Sequence, residues 1–155
     1  MTTDTLELTP LAVGTPAPDF NLPASGAEGT VKLTDYRGKN LIIVFYPKDQ
    51  TPGCTRQLCS LRDDLAVFKG LNTEILGSNP GSKESHERFS EKESYPFPIL
   101  VDADKTMATA YQALKPEGGI QRTVYIIDGQ GVIRFSQQGM PSDEELAAAI
   151  RGFSA

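Results

Sequence analysis

Residues 46–59 read YPKDQTPGCTRQLC and place Cys54, one of the chain's two cysteines, where a thiol could act as a nucleophile. A thiol reacts as its thiolate, so the chemistry depends on what favours the anion. Apolar Leu58, Leu61, Leu65 and Phe68 recur at helical spacing behind Cys54 until Gly70 supplies a stop, which predicts a helix opening at the cysteine. At such an opening the backbone N–H groups lack intrahelical acceptors and the helix dipole favours negative charge. Pro52 fixes the approach of the chain, and Gly53 keeps it uncrowded, so a small substrate could meet backbone donors directly. Cys59 follows on the same predicted helix. In a reducing compartment such a close pair is redox-active or metal-binding sooner than a permanent staple.

An easily formed thiolate does not by itself make a fast reaction. Lowering a thiol's pKa from about 8.5 to about 6 raises its ionised fraction at neutral pH roughly thirty-fold. Intrinsic nucleophilicity falls by about ten-fold over the same change, on the slope that holds for thiol exchange. The two effects largely cancel, so a fast thiol enzyme needs donors aimed at the atom on which charge develops. Thr51 can supply a hydroxyl from the same loop. The candidate cation is Arg122, which opens an apolar strand pattern, RTVYII, where a charge needs a reason. Its placement beside Cys54 is a tertiary expectation that spacing does not supply.

The elements that must position these groups follow from pattern. Residues 40–46 (NLIIVFY) form a continuous apolar run of the kind found in a strand covered on both faces. Residues 19–22 and 30–33, with turn chemistry at 26–29, predict a small N-terminal hairpin. Further strands are expected at 73–78 and 97–101, and helices at 82–93 and 105–114. Residues 122–127 and 132–136 flank Asp128-Gly129-Gln130-Gly131 and predict a second hairpin. The last helix opens at Ser142 with Glu145 three residues on, a capping box, and turns Leu146 and Ile150 inward. Strands alternating with helices and then a terminal hairpin imply an α/β domain of three layers around a central mixed sheet, an order that suits a thioredoxin-like fold.

With 155 residues, 39% of them hydrophobic, the chain is expected to form one domain over 1–155, with residues 1–15 as a loosely held arm. A net charge of -5 with both signs interspersed leaves no basic stripe for nucleic acid. No signal peptide and no membrane span is visible, so a cytoplasmic protein is expected.

The segment FYPKDQTPGCTRQLC resembles the active-site segment of the peroxiredoxins, specifically the bacterioferritin comigratory protein or PrxQ group. The likeness runs from Pro18-Asp19-Phe20 through Asp35-Tyr36-Arg37-Gly38-Lys39 to Arg122-Thr123 and Ile126-Ile127-Asp128-Gly129, and its most specific element is Pro47, Thr51 and Cys54 in Pro-x-x-x-Thr-x-x-Cys. The resemblance implies a thiol-dependent peroxidase acting on hydrogen peroxide and organic hydroperoxides, without a cofactor or metal. It implies Cys54 as the peroxidatic cysteine, Thr51 and Arg122 as its activating partners, and a substrate site of Pro47, Thr51, Gly53, Cys54 and Arg122. Cys59 is similar to the resolving cysteine of some group members, with thioredoxin as the implied reductant of a Cys54–Cys59 disulfide. Because that partner is intramolecular, a monomer is expected. Residues 111–121 look shorter than the group's usual segment, and Asn79-Pro80-Gly81-Ser82 replaces its commoner pattern, departures that bear on the substrate entrance.

Two other functions compete. A thioredoxin-type dithiol oxidoreductase would normally carry Cys-x-x-Cys, closer than Cys54 and Cys59. A thioredoxin-fold copper chaperone could use Cys54, Cys59 and His86 to hold a soft ion such as Cu(I), with no use for Thr51 or Arg122. His86 lies among Lys83, Glu84, Glu87 and Arg88 and is expected on a solvated helix surface, as is Arg56; Phe45 and Tyr46 are expected in the core.

Overall fold

A computed structural model of the chain describes residues 9–154. The apolar run becomes β3 (Asn40–Phe45), the middle strand of a five-stranded sheet. On one side it pairs in parallel with β4 (Thr73–Asn79), which carries β5 (Ile99–Val101). On the other it pairs antiparallel with β6 (Thr123–Ile127), which carries β7 (Ile133–Gln138). The expected N-terminal hairpin is present as β1 (Asn21–Pro23) and β2 (Thr30–Lys32).

Side chains alternate across a strand, so β3 feeds two cores. Leu41, Ile43 and Phe45 point to one face, where they meet Tyr111, Tyr125 and Ile127, the hairpin residues Phe20 and Val31, and Met107 of α4 (Thr106–Ala110). Ile42 and Val44, with Tyr46 just beyond the strand, join the opposite core with Cys54, Leu58 and Leu61 of α1 (Pro52–Asp63). Phe68 of α2 (Leu65–Gly70), Phe89 of α3 (Lys83–Glu93) and Leu146 and Ile150 of α5 (Asp143–Ser154) complete it. The result is the thioredoxin-like three-layer arrangement with a mixed sheet, and it seats the cysteine helix directly on the central strand.

Several boundaries move, each for a local reason. The single helix expected from Cys54 to Gly70 breaks at Asp64, whose φ/ψ of -97°/16° ends α1 and starts α2, and Phe68 is then fully buried. The strand expected over 97–101 begins only at Ile99, since Pro98 has no N–H for a ladder, although its carbonyl accepts from Gly77. The helix expected over 105–114 stops at Ala110, because Gln112 turns left-handed at φ 53° and the chain enters a tight loop closed by the Leu114–Ile120 bridge. The capping box of α5 forms as expected: Ser142 Oγ accepts from the Glu145 amide at 3.1 Å, and Glu145 Oε1 from the Ser142 amide at 3.2 Å.

His86 corrects its expectation. It is fully buried, because on α3 it shares the inward stripe with Phe89 three residues on. Of the arm expected over 1–15, residues 1–8 lie outside the described residues. Further along, Leu11 N donates to Tyr125 Oη at 2.8 Å, and Gly14 and Thr15 bond to Ile133 of β7.

Candidate active site

The site is built where β3 gives way to α1. Thr51 is the N-cap in extended conformation, Pro52 the first helical residue, and Cys54 therefore lies in the first turn, with Thr55 N already bonded to Thr51 O at 2.9 Å. The Cys54 side chain packs into the core and is fully buried. Arg122 reaches it because β6 runs antiparallel to β3 with Thr123 opposite Phe45, so the residue before Thr123 overhangs the end of β3 from which the cysteine loop springs. Its Nη2 donates to Cys54 Sγ at 3.2 Å. A Cβ on residue 53 would stand 3.3 Å from the same Nη2, so Gly53 leaves the guanidinium its room.

Arg122 is held by a residue that the sequence did not single out. Its Nη1 donates to Gln57 Oε1 at 2.7 Å, and Gln57, one helical turn after Cys54, is buried on the same face. The arginine thereby presents one edge of its fork to sulfur while the other is fixed. A polar residue three positions after the cysteine on an inward face was the available signal.

Thr51 occupies the expected loop, and its Oγ1 donates to the Lys48 carbonyl at 2.9 Å. A hydroxyl has one proton, so in this arrangement Thr51 can only accept from a neighbour unless it rotates. Pro47 is exposed, and Gly53 is half-buried beside the thiol. Arg56 is exposed as expected, and Phe45 and Tyr46 are core.

Behind the loop lies a second polar group that the sequence did not bring together. Asp49 accepts from Tyr46 Oη at 2.5 Å and Ser85 Oγ at 2.7 Å, and its Oδ2 is 2.6 Å from His86 Nδ1. Burial pushes the Asp49 carboxyl up, but the hydrogen bonds from His86, Tyr46 and Ser85 and the field of His86 outweigh it and hold the group below its usual range. The Tyr46 hydroxyl is pushed well up, by burial first and then by the Asp49 charge. His86 Nε2 faces the carbonyls of Asn79 and Leu100 at 3.2 and 3.1 Å. Gly81 closes over this pair: a Cβ there would lie 2.9 Å from Asn79 Oδ1 and 3.2 Å from His86 Cε1. The Asn79-Pro80-Gly81-Ser82 turn thus fits its surroundings, and Asn79 Nδ2 ties it to the Tyr46 carbonyl at 2.8 Å.

Cys59 is half-buried on α1, and both thiols are free. Its Sγ donates to Glu93 Oε1 at 3.4 Å and lies 3.4 Å from Tyr95 Oη. The copper reading loses its third ligand, because both His86 nitrogens are engaged with Asp49 and with main-chain carbonyls. Among the described residues, no cluster of three or more His, Cys, Asp or Glu side chains is arranged to hold a metal. None of their helices is long and apolar enough to cross a membrane.

A thiol in the first turn of a helix, seated on a thioredoxin-like sheet with an arginine donating to its sulfur, defines an enzyme of the thiol-peroxidase class. Comparison with known proteins gives the particular family. The family model described as AhpC/TSA matches residues 13–136. Peroxiredoxin Bcp of Bacillus subtilis is 41% identical over 148 residues, covering 91% of this chain and 94% of that protein. A mutant of Xylella fastidiosa PrxQ superposes with a TM-score of 0.87 at 25% identity, over 95% of this chain and 99% of that one. The bacterioferritin comigratory protein of Xanthomonas campestris, whose alkyl peroxide reduction activity has been addressed through trapped intermediate and ligand complexes, gives 0.81 at 27% identity over 88% and 92%. The chain belongs to the AhpC/TSA family, in its Bcp/PrxQ peroxiredoxin group. It is a thiol-dependent peroxidase, with a peroxide as substrate and a thiol as reductant.

Proposed function

We propose that Cys54 is the peroxidatic and Cys59 the resolving cysteine. The Cys54 thiolate attacks one peroxide oxygen, the O–O bond breaks, and the leaving oxygen departs as an alkoxide or hydroxide that takes up a proton. Cys54 is left as a sulfenic acid. The Cys59 thiol then displaces its hydroxyl as water and closes an intramolecular disulfide. The observation that carries the reading is the 3.2 Å contact from Arg122 to Cys54 at a helix start, which puts a fixed cationic donor where charge moves from sulfur to oxygen. Gln57 positions that donor, and the exposed Pro47 and the half-buried Gly53 and Thr51 form the approach.

The reductant is a thioredoxin-type dithiol, which would attack the disulfide once it is exposed. Hydrogen peroxide and organic hydroperoxides are both substrates, a reading supported by the alkyl peroxide activity named for the Xanthomonas relative. The enzyme works as a cytoplasmic monomer of one domain, since Cys59 spares it a second subunit. Peroxide consumption by wild type, Cys54→Ser and Cys59→Ser, with thioredoxin as electron donor, tests the assignment. Cys54→Ser should be inactive, and Cys59→Ser should consume about one equivalent and stop at a sulfenic acid. A sulfenic acid trapped on Cys59 would reverse the roles.

A further inference from the structure

We propose that Tyr95, assisted by Glu93, is a latch on the turn of α1 that must open for the disulfide to close, and so sets how long the Cys54 sulfenic acid survives. The proposal rests on the assignment of Cys54 and Cys59 above. Its basis is where the Tyr95 hydroxyl sits. It donates to the Thr55 carbonyl at 3.3 Å and lies 3.4 Å from Cys59 Sγ. In an α-helix the carbonyl of residue 55 is the partner of the amide of residue 59, so one hydroxyl touches both ends of one helical turn. That turn lies inside the 54–59 segment. Glu93 adds a second fastening, accepting the Cys59 S–H at 3.4 Å, and its own carbonyl is bound by Arg62 Nη1.

The latch does not move with the helix that it holds. The Tyr95 ring is 8% exposed and is fixed by an edge contact to Phe89 at 5.1 Å and a stacked contact to Phe97 at 5.2 Å. Neither partner belongs to α1. The hydroxyl is pushed up in pKa, by burial first and then by its bond to Cys59, so it remains a proton donor throughout the working range.

Two fates compete for the sulfenic acid. Cys59 can displace its hydroxyl as water to form the disulfide, or a second peroxide can oxidise it to a sulfinic acid with release of an alcohol or water. The second is bimolecular and needs no unwinding, whereas the first waits for the turn to open. Tyr95 and Glu93 are therefore positioning residues for resolution, and a tighter latch makes the enzyme more easily over-oxidised.

The test is Tyr95→Phe, which keeps the ring contacts and removes only the hydroxyl. The chain has no tryptophan, so quench-flow with mass spectrometry is the suitable readout. The sulfenic acid should form at the wild-type rate, and disulfide closure should be about two- to ten-fold faster, the worth of one net hydrogen bond. The peroxide concentration that converts half of Cys54 to sulfinic acid should rise by the same factor. Glu93→Ala should act in the same direction, and the reduced variants should remain folded, their urea midpoints lowered by no more than the loss of one net hydrogen bond. A normal first phase in Tyr95→Phe, with closure unchanged or slower and half-conversion to sulfinic acid at the wild-type peroxide concentration or below, overturns the latch alone. Loss of the first phase in every protein, wild type included, overturns the cysteine assignment and the latch with it.

Discussion

Closing the Cys54–Cys59 disulfide is expected to unwind the first half of α1, and the size of the obstacle follows from helix geometry. Both cysteines lie on one continuous helix, Pro52–Asp63, that carries both thiols in the free state. Positions i and i+5 are separated by about 7.5 Å along the axis and roughly 140° around it, which puts their Cα atoms about 8.6 Å apart. A disulfide needs less than about 7 Å with the side chains turned toward each other. No rotamer change supplies both the missing distance and the missing angle, so the backbone between the thiols must leave the helix. Opening should be feasible there, since the first turn holds few intrahelical bonds and local opening needs no global unfolding. Reduced and oxidised protein compared by amide hydrogen exchange should show residues 55–61 losing roughly 100-fold or more of their protection on oxidation. Strand residues 41–45, laddered on both sides, should be unchanged. Equal protection of 55–61 in both states, with the disulfide confirmed by mass, would refute the reasoning and place one thiol outside the helix in solution.

Arg122→Met should lower the rate constant for peroxide by roughly a hundred-fold or more, the scale of losing a donor to a developing oxyanion. Most of that loss should persist at a pH where the thiol is fully ionised, and complete recovery there would reduce Arg122 to a tuner of ionisation. Asp49, held below its usual range, contributes stability above the ordinary carboxylate pKa that is lost as pH falls through its depressed value. Asp49→Asn should therefore be less stable at neutral pH and show a flatter acid limb in urea titrations between about pH 5 and pH 2; an unchanged limb would remove Asp49 from the account. Asp143 behaves oppositely, its carboxyl being pushed up to about 6 by burial and by the neighbouring Asp64. The folded state binds its proton more tightly, so stability falls as pH rises from 3.8 to about 6. Asp143→Asn, which retains an acceptor for Ser60, should raise Tm at pH 7 while changing it little at pH 4; equal shifts at both would exclude a charge effect.

Signals that act within a few residues were legible in the sequence. The run at 40–46 has the pattern of a strand covered on both faces, and TPGC followed by a helical stripe pointed to where the thiol would sit. Ser142 and Glu145 announced a helix start that the structure closes with both capping bonds. Arg122 was legible as an anomaly, a charge opening a core strand, but its reach to Cys54 depends on the register that sets Thr123 against Phe45. No local pattern encodes which strand neighbours which.

The misreading of His86 and the omission of Gln57 share one cause: a polar residue was weighed by its neighbours in the chain, when its environment is decided by distant ones. His86 has charged residues on both sides in sequence, yet the helix turns it inward with Phe89, where Asp49 and the carbonyls of Asn79 and Leu100 satisfy its ring. Gln57 was not singled out, because the partner that gives it a role, Arg122, lies 65 residues away. Buried polar groups must find partners, and here most of those partners belong to other elements. They meet around one helix: Gln57 and Arg122 under its first turn, Asp49 and His86 behind the loop that leads into it, Glu93 and Tyr95 along its flank. The apolar pattern builds the platform on which α1 rests, but the polar contacts determine how firmly each part of that helix is held. On the proposed assignment, peroxide reduction needs the first turn wound around Cys54, and resolution needs the same turn to let go. The balance between those demands therefore resides in the long-range polar contacts, the part of the molecule that a single sequence conceals best.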